Sequence, residues 1–204
     1  MDGTESIPGE HDPIVDDPAA TTLRRAAQEA EAIDEAVYAA IAGTESPTLD
    51  RPIAMVSNAA NFSRLWLGVA AVIAGVGGRQ GRRAALRGLI AIGITSAVAN
   101  LLVKNLVRRH RPHREQQRPH SDVRMPESTS FPSGHTASAV AFTLAAAGEM
   151  PVLAVPLVPL AAVVGYSRVH SGVHYPGDVL AGAVLGSVIG TVFPLLSRRS
   201  WRHP

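Results

Sequence analysis

The segment SRVHSGVHYPGDVLAGAVLGSVIGTVFPLLS, residues 167–197, is polar at its start and apolar along the rest of its length. From residue 177 to residue 197 the only charged side chain is Asp178, and about 20 apolar helical residues are enough to cross a bilayer core. Pro176 suits the first turn of a helix, because the N–H that proline lacks would have no helical partner there. The segment therefore predicts a membrane-spanning helix that begins beside a group of polar side chains.

Three glycines, Gly182, Gly186 and Gly190, recur every four residues within this predicted span. Residues four apart lie on one face of a helix, so the glycines form a smooth strip that lets a second helix approach closely. We expect that second helix to belong to the same chain rather than to a partner subunit. The sequence leaves the oligomeric state open.

Four more apolar segments precede this span, at residues 63–78, 84–106, 134–148 and 151–167. Hydrophobic residues make up 46% of the chain but aromatic residues only 4%, so small aliphatic side chains dominate, as suits closely packed membrane helices. Cysteine is absent, which excludes disulfides, thiolate metal sites and a cysteine nucleophile. The sequence predicts an all-α, integral-membrane helical bundle with about five transmembrane helices.

The rest of the chain is more polar. Residues 1–18 are acidic and contain several glycines and prolines, which predicts a disordered tail, and they lack the basic start and apolar run of a cleavable signal peptide. Residues 19–60 are expected to form an amphipathic helix, too charged to span a membrane, followed by a connector with a second short helix. Residues 61–197 then form the transmembrane core, and residues 198–204 a basic C-terminal tail.

Two clusters of arginine indicate how the chain lies in the membrane. Lys and Arg stay preferentially on the cytoplasmic side, and five crossings place both clusters on that same side. The polar blocks at the opposite helix ends, and the N-terminus, are then expected outside the cytoplasm, at the cell membrane. A nucleic-acid-binding surface is not expected, because such a surface would spread its basic residues over a soluble face. The clusters are Arg79, Arg82, Arg83 and Arg87, in a predicted loop, and Arg198, Arg199 and Arg202.

The first polar block runs from Lys104 to Pro112. Lys104, Arg108 and Arg111 are spaced i, i+4 and i+7, so a helix through this block would present them on one side, near the end that Pro112 imposes. Such cations taken alone could simply extend to lipid phosphates. Together with the other two polar blocks, they indicate a binding site for an anion.

The second polar block is Pro132, Ser133, Gly134 and His135, directly before an apolar run. Ser133 is a natural N-cap, and Gly134 allows backbone amides to approach a ligand closely. The amides and the dipole at such a helix start favour a bound phosphate. Taken alone, the four residues are equally compatible with an ordinary helix cap next to an interfacial histidine.

The third polar block contains Arg168, His174 and Asp178. Asp178 can accept a hydrogen bond from one imidazole nitrogen of His174, either along a helical turn or by reaching back across the helix start, and an imidazole oriented in this way is a good nucleophile. A metal site formed by His174 and Asp178 is disfavoured, because the nearby cations Lys104, Arg111 and Arg168 would repel a divalent ion.

The three blocks, in this order and spacing, resemble the motifs of the membrane-bound type 2 phosphatidic acid phosphatase superfamily, which shares its site with bacterial acid phosphatases and vanadium haloperoxidases. The matching elements are Lys-x6-Arg-Pro at 104–112, Pro-Ser-Gly-His at 132–135 and Ser-Arg-x5-His-x3-Asp at 167–178. Each element is short, but the ordered set is highly specific. The resemblance covers roughly residues 60–197.

The resemblance implies a role for each matching residue. His174 would attack phosphorus and form a phosphohistidine, Asp178 would orient it, and His135 would protonate the leaving oxygen and later activate water. No metal or other cofactor is implied, because fixed cations would take the part of Mg²⁺. The groups implied to hold the phosphoryl oxygens are Lys104, Arg111, Ser133, Gly134 and Arg168.

The resemblance implies an enzyme that hydrolyses a lipid phosphomonoester or diphosphate, and its substrate stays open. Phosphatidic acid, phosphatidylglycerophosphate, a polyprenyl diphosphate and a polyprenyl phosphosugar all fit. Two other functions also remain possible from the sequence. One is a vanadate-dependent, haloperoxidase-like enzyme, which halide oxidation by vanadate-loaded protein would reveal. The other is a non-catalytic lipid-phosphate binder or transporter, in which His174 would be dispensable.

Overall fold

The computed structural model describes residues 18–44, 46–103, 107, 109–113 and 123–200, and all regular secondary structure among them is helical. The predicted all-α class is therefore confirmed. The predicted disordered tail, apart from Pro18, lies outside the described residues. The helices are α1 (Pro18–Ala42), α2 (Pro47–Ala59), α3 (Arg64–Val76), α4 (Gly78–Val98), α5 (Gly134–Ala147), α6 (Ala154–His170) and α7 (Pro176–Ser200), with short 3-10 turns at Asn61–Ser63 and Pro151–Leu153.

The chain divides after Ile33 into two compact units. The described part of the first unit is the helical stretch 18–33, which belongs to α1. The second unit begins at Asp34 and contains the end of α1 and all the other helices.

Helix α5 lies at the centre of the second unit, where α4, α6 and α7 pack around it. Nine of its 14 residues are buried, most of them alanine, serine or threonine, because a helix enclosed on several sides has room for small side chains only. Its Phe142 ring packs against Trp66 of α3, with 5.1 Å between the ring centroids. The apolar core of the unit is continuous across α3, α4, α5 and α6.

The glycine strip of α7 lies against α5, as the spacing predicted. A Cβ atom added at Gly182 or Gly190 would approach the backbone carbonyl oxygen of Ser133 to 2.5 Å or that of Ala141 to 2.8 Å. Gly186 lies closer still to the carbonyl of Ala137. The strip therefore serves helix contact within the chain.

Replacing Gly186 with alanine is expected to destabilise the bundle by roughly 1–3 kcal/mol, because the new methyl group would force α5 and α7 apart. Gly93 of α4 is a matched control, since a Cβ atom there would meet no atom within 4 Å. Thermal unfolding of the two variants in detergent measures the difference. Equal melting temperatures for Gly186→Ala and Gly93→Ala would contradict close α5–α7 contact.

Each of the five predicted apolar segments is mostly helical over its described residues. Three described helices are long and apolar enough to cross a membrane: 78–101, 151–170 and 176–193. A fourth candidate is the pair 48–59 and 64–76, which is bent by 76°. Helix α5 has only 14 residues, roughly 21 Å of helix against a hydrocarbon core of about 30 Å. Because its neighbours enclose it, α5 need not meet lipid along its length.

The arginines predicted to lie in a loop after the first apolar segment instead belong to the start of α4. Helices α3 and α4 are joined by Gly77 alone, and Gly78, the first residue of α4, has a positive φ of 57° that favours glycine. The turn is short because Gly81 packs directly on the carbonyl of Ile73, which leaves no space for a side chain. Arg87 pairs with Glu149 at 2.5 Å, so the turn after α5 lies at this same end.

The helix predicted to continue through Arg111 ends earlier. Helix α4 closes in a π turn at Ala99–Val103, and the described residues 107 and 109–113 are not helical. Pro112 disfavours helix at Arg111, and the carbonyl of Arg109 accepts a hydrogen bond from the Ser130 amide instead of a helical one. The predicted single helix face for the first block is therefore wrong at Arg111, while Lys104 and Arg108 lie outside the described residues.

Candidate active site

Three parts of the chain meet at the end of the bundle opposite Glu149. They are the segment around Arg111, the start of α5 and the junction of α6 with α7. Ser133 caps α5, since its Oγ accepts hydrogen bonds from the Thr136 amide at 3.5 Å and the Thr136 hydroxyl at 3.0 Å. The Ser133 amide donates to the carbonyl of Asp178 at 2.9 Å, which fixes the start of α5 against the start of α7.

His174 and Asp178 form a buried pair, with 3.3 Å between Nδ1 of the imidazole and Oδ2 of the carboxylate. Helix α7 begins at Pro176, so His174 precedes it and Asp178 reaches back over the helix start. The same Oδ2 accepts the Tyr175 amide at 3.0 Å. The His174 amide in turn donates to the carbonyl of Arg168 at 3.2 Å. His174 is therefore held both by its backbone amide and by its ring.

The surroundings of His174 select one tautomer. Nη1 of Arg111 lies 3.3 Å from Nε2 of His174, and a guanidinium can only donate, so Nε2 carries a lone pair and the proton is on Nδ1, facing Asp178. Burial, together with the positive charges of Arg111 and Arg168, lowers the pKa of His174 to about 4, although Asp178 opposes this shift. The imidazole is therefore neutral at neutral pH and is in its nucleophilic form.

The guanidinium of Arg111 joins the loop before α5 to the α6–α7 junction. It donates from Nη1 to the carbonyl of Val173 at 2.7 Å, from Nε to the carbonyl of Ser128 at 2.8 Å and from Nη2 to that of Thr129 at 3.1 Å. Burial lowers the pKa of Arg111, an effect that the charge of Asp178 partly offsets. These bonds hold a fixed positive charge next to His174.

Arg168 is the second cation at this site and, unlike the half-buried Arg111, is only 1% exposed. Its Nη1 donates to the hydroxyl of Ser57 at 2.5 Å, which ties the end of α6 to α2. Its Nε is buried and has no hydrogen-bond partner among the described residues. A buried donor without an acceptor is costly, and an anion bound beside it would supply the missing acceptor.

A cavity of about 230 Å³ opens at this point. Four of the predicted site residues line it: Arg111, Gly134, His135 and His174. The predicted residues Ser133, Arg168 and Asp178 are buried and contact lining residues or their neighbours. Lys104 lies outside the described residues. The polar groups that share the lining are Ser63, Ser96, Asn100, Ser128 and Ser138.

The structure adds residues that the sequence analysis missed. Asn61, in the turn between α2 and α3, has its Oδ1 2.9 Å from Nε2 of His135. Arg109 binds the second oxygen of Asp178, Oδ1, at 3.1 Å, and also binds Asp34 of α1. No motif marks Asn61 or Asp34, and Arg109 falls at an unspecified position of the first block. Among the described residues, no group of three or more histidines and carboxylates is placed as metal ligands would be.

Comparison with known proteins gives one consistent result. The family model described as PAP2 superfamily matches residues 84–202. A decaprenylphosphoryl-5-phosphoribose phosphatase of Mycobacterium tuberculosis is 33% identical over 164 residues, 76% of this chain and 86% of the relative. An undecaprenyl-diphosphatase of Bacillus subtilis is 34% identical over 101 residues, 50% of this chain and 52% of the relative.

Two solved structures have a similar fold. The transmembrane PAP2 type phosphatidylglycerolphosphate phosphatase of Bacillus subtilis superposes with a TM-score of 0.68, covering 86% of this chain and 90% of the other at 22% identity. LpxE of Aquifex aeolicus superposes with a TM-score of 0.59, covering 78% and 93% at 24% identity. At these identities the likeness concerns the fold alone.

Proposed function

The chain belongs to the PAP2 superfamily, and we propose that it is a membrane lipid phosphatase in which His174 forms a phosphohistidine. It is a multi-pass membrane enzyme of the phosphoric ester or diphosphate hydrolase class. The proposal depends mainly on one observation: the imidazole of His174, backed by the carboxylate of Asp178, lines a cavity beside the half-buried guanidinium of Arg111 and close to the buried Arg168. Phosphoryl transfer requires this combination of positioning and positive charge.

In the first proposed step, Nε2 of His174 attacks phosphorus with its lone pair, and the bond from phosphorus to the leaving oxygen breaks. His135 gives its proton to that oxygen. Asp178 keeps the Nδ1 proton on the imidazole of His174 and stabilises the positive charge that develops on the ring. With Asn61 Oδ1 as acceptor, Nε2 of His135 carries a proton and Nδ1 is the nitrogen that exchanges protons with the substrate.

In the second step, neutral His135 takes a proton from water, and the resulting hydroxide attacks phosphorus. The bond between phosphorus and Nε2 of His174 breaks, and inorganic phosphate leaves. His135 is protonated again and His174 is neutral, so the enzyme returns to its starting state. In both steps, Arg111, Arg168, the Gly134 amide and the hydroxyl of Ser133 hold the phosphoryl oxygens, with Lys104 as a further cation.

We propose that this chemistry is independent of metal ions. The developing charge on the phosphoryl oxygens is balanced by fixed guanidinium groups. One of them, Arg168, has a buried Nε donor without a hydrogen-bond partner among the described residues. A divalent ion at the same place would be repelled by Arg111 and Arg168. The enzyme is therefore expected to keep its activity in EDTA.

For the substrate, we propose a polyprenyl phosphosugar rather than a bare lipid phosphate. The cavity of about 230 Å³ has serine and asparagine side chains beyond the cationic groups, and hydroxyl and amide groups suit a sugar. The relative from Mycobacterium tuberculosis, which aligns with 76% of this chain, is named for such a substrate. The arginines of the α3–α4 turn lie at the opposite end of the bundle, which supports a site on the outer face of the cell membrane.

Phosphate release by detergent-solubilised protein tests this proposal. The panel contains phosphatidic acid, phosphatidylglycerophosphate, undecaprenyl diphosphate and decaprenylphosphoryl-5-phosphoribose, each with and without EDTA. We expect the phosphosugar to give a kcat/KM at least about tenfold above the others, a difference of about 1.4 kcal/mol in transition-state binding. Equal rates would contradict the substrate assignment, and loss of activity in EDTA that added Mg²⁺ restores would contradict metal independence.

A further inference from the structure

Arg109 lies between two carboxylates that come from opposite ends of the chain. Its Nη1 is 3.1 Å from Oδ1 of Asp178 and 2.6 Å from Oδ2 of Asp34. Asp178 is fully buried, whereas the side chains of Arg109 and Asp34 are 21% and 12% exposed. Asp34, Arg109 and Asp178 thus form a chain of alternating charge that ends at His174.

Asp34 is fixed by the start of α7. Its Oδ1 accepts the Gly177 amide at 2.6 Å, and that amide belongs to the first helical turn, where N–H groups have no partner within the helix. A Cβ atom at position 177 would lie 2.8 Å from Oδ2 of Asp34, so the close approach depends on glycine. Helix α1 therefore caps α7 from outside that helix.

Aromatic rings enclose the same group of charges. The guanidinium of Arg109 lies over the ring of Tyr175, with 4.2 Å from its central carbon to the ring centroid. Tyr38 of α1 packs edge-on against Tyr175, with centroids 5.4 Å apart. Arg109 is thus held on one side by Asp34 and on another by Tyr175, which limits the positions it can adopt.

We propose that Asp34 and Arg109 are positioning residues that hold the carboxylate of Asp178 in place behind His174, so that helix α1 contributes to catalysis. This inference rests on the proposed function of His174 as the nucleophile. It gives helix α1 a role in the reaction, in addition to the packing role that an amphipathic helix has.

The two carboxylate oxygens of Asp178 have different partners. Oδ2 is taken by His174 and the Tyr175 amide, so without Arg109 the buried Oδ1 would have no partner among the residues that the structure describes. The carboxylate could then rotate, and the hydrogen bond that aligns the imidazole would lose its fixed geometry. The charge of Arg109 also keeps the shared proton on Nδ1 of His174, which leaves Nε2 as the nucleophile.

Arg109→Gln is expected to lower kcat by about 10- to 100-fold, as loss of groups that orient a reacting ligand commonly does. KM should change by less than about threefold, because Arg109 does not line the cavity. Arg109→Lys keeps a charge that reaches both carboxylates and should recover most of kcat. Arg124→Gln is the matched control, since the Arg124 side chain is 89% exposed.

The Asp34→Asn variant distinguishes the ion pair that Asp34 forms with Arg109 from the hydrogen bond by which Asp34 caps α7. The asparagine oxygen can still accept the Gly177 amide, while the ion pair with Arg109 is lost. If Asp34 acts through Arg109, this change should lower kcat less than Arg109→Gln does and should have no further effect in the Arg109→Gln background. Additive losses in the double variant would overturn the proposed order of action. Melting temperatures of all variants identify any that fail to fold.

A second readout needs no substrate. Diethyl pyrocarbonate modifies neutral imidazole, so the pH dependence of His174 modification, followed by mass spectrometry, reports its basicity. Without the positive charge of Arg109, Asp178 attracts the imidazole proton more strongly. The midpoint, the pH at which half of the maximal modification rate of His174 is reached, should therefore be higher in Arg109→Gln, and should return to the wild-type value in Arg109→Lys. Arg111 and Arg168, the other charges near His174, are unchanged in these variants.

The two readouts separate failure of this inference from failure of the proposed function. If the wild-type protein releases phosphate from no lipid but the midpoint still shifts, the function is wrong and the positioning role stands. An unchanged midpoint together with an unchanged kcat in Arg109→Gln would overturn the positioning role. A change in KM alone would also overturn it, because Arg109 would then act on substrate.

Discussion

Replacing His174 with alanine is expected to reduce phosphate release by at least about 1,000-fold, because the proposed covalent route through Nε2 would be lost. The fold should survive, since the Arg111 side chain keeps its bonds to Val173, Ser128 and Thr129. Initial rates with the preferred lipid of the panel measure the loss of activity, and the melting temperature measures whether the fold survives.

The control for this variant is His113→Ala, which removes an exposed histidine from the same side of the bundle. It should retain activity within about threefold of the wild-type protein. Brief reaction with ³²P-labelled substrate and an alkaline quench should label the wild-type protein, and acid should release the label, as the phosphorus–nitrogen bond of phosphohistidine requires. A labelled His174→Ala protein, or one that keeps substantial activity, would rule out His174 as the nucleophile.

Changing Arg168 to lysine is expected to lower kcat/KM by about 100- to 1,000-fold, although the charge is kept. Lysine has no counterpart of the Nε donor of Arg168, which is buried and has no hydrogen-bond partner in the part of the chain that the structure describes. Its ammonium group also cannot present the planar fork that binds two phosphoryl oxygens. The hydroxyl of Ser57 would also lose a well-placed donor. Steady-state kinetics and inhibition by vanadate, which imitates the phosphoryl transition state, measure the loss.

Arg124→Lys is the matched control for this substitution, because Arg124 is exposed and its ion pair with Glu127 is long, at 3.8 Å. It should leave both kcat and vanadate inhibition unchanged. The role of Arg168 in holding the phosphoryl group would be refuted if Arg168→Lys, folded and stable, bound vanadate as tightly as the wild-type protein. Weaker vanadate binding in parallel with lower kcat/KM is the expected result.

Several features of this protein could be predicted because they depend on neighbouring residues. Ser133 was predicted to cap α5 from its position before an apolar run, and the structure has the capping bonds. Pro176 was predicted at the first turn of α7, where that helix begins. The glycine strip of α7 predicted a close helix contact from its spacing, and α5 provides it. The first two features depend on interactions at a single helix end, and the third depends on the residues that share one helix face.

The first polar block shows where local reasoning fails. Spacing placed Arg111 on the face of a helix, but its guanidinium bonds to carbonyls of Ser128, Thr129 and Val173, which come from two other parts of the chain. Those bonds, together with Pro112, stabilise a non-helical segment. A helical pattern in the sequence contains no information about carbonyl groups 17 to 62 residues away.

The helical class, the apolar segments and the residue types of the site follow from local sequence, because period, composition and helix-end signals act over a few residues. Three contacts depend instead on the folded chain: Asn61 holds His135, Ser57 holds Arg168, and Asp34 meets the start of α7 across 143 residues of sequence. Each of these contacts joins polar groups from different helices. Their pairing follows from how the helices pack against α5, and packing is a property of the whole chain.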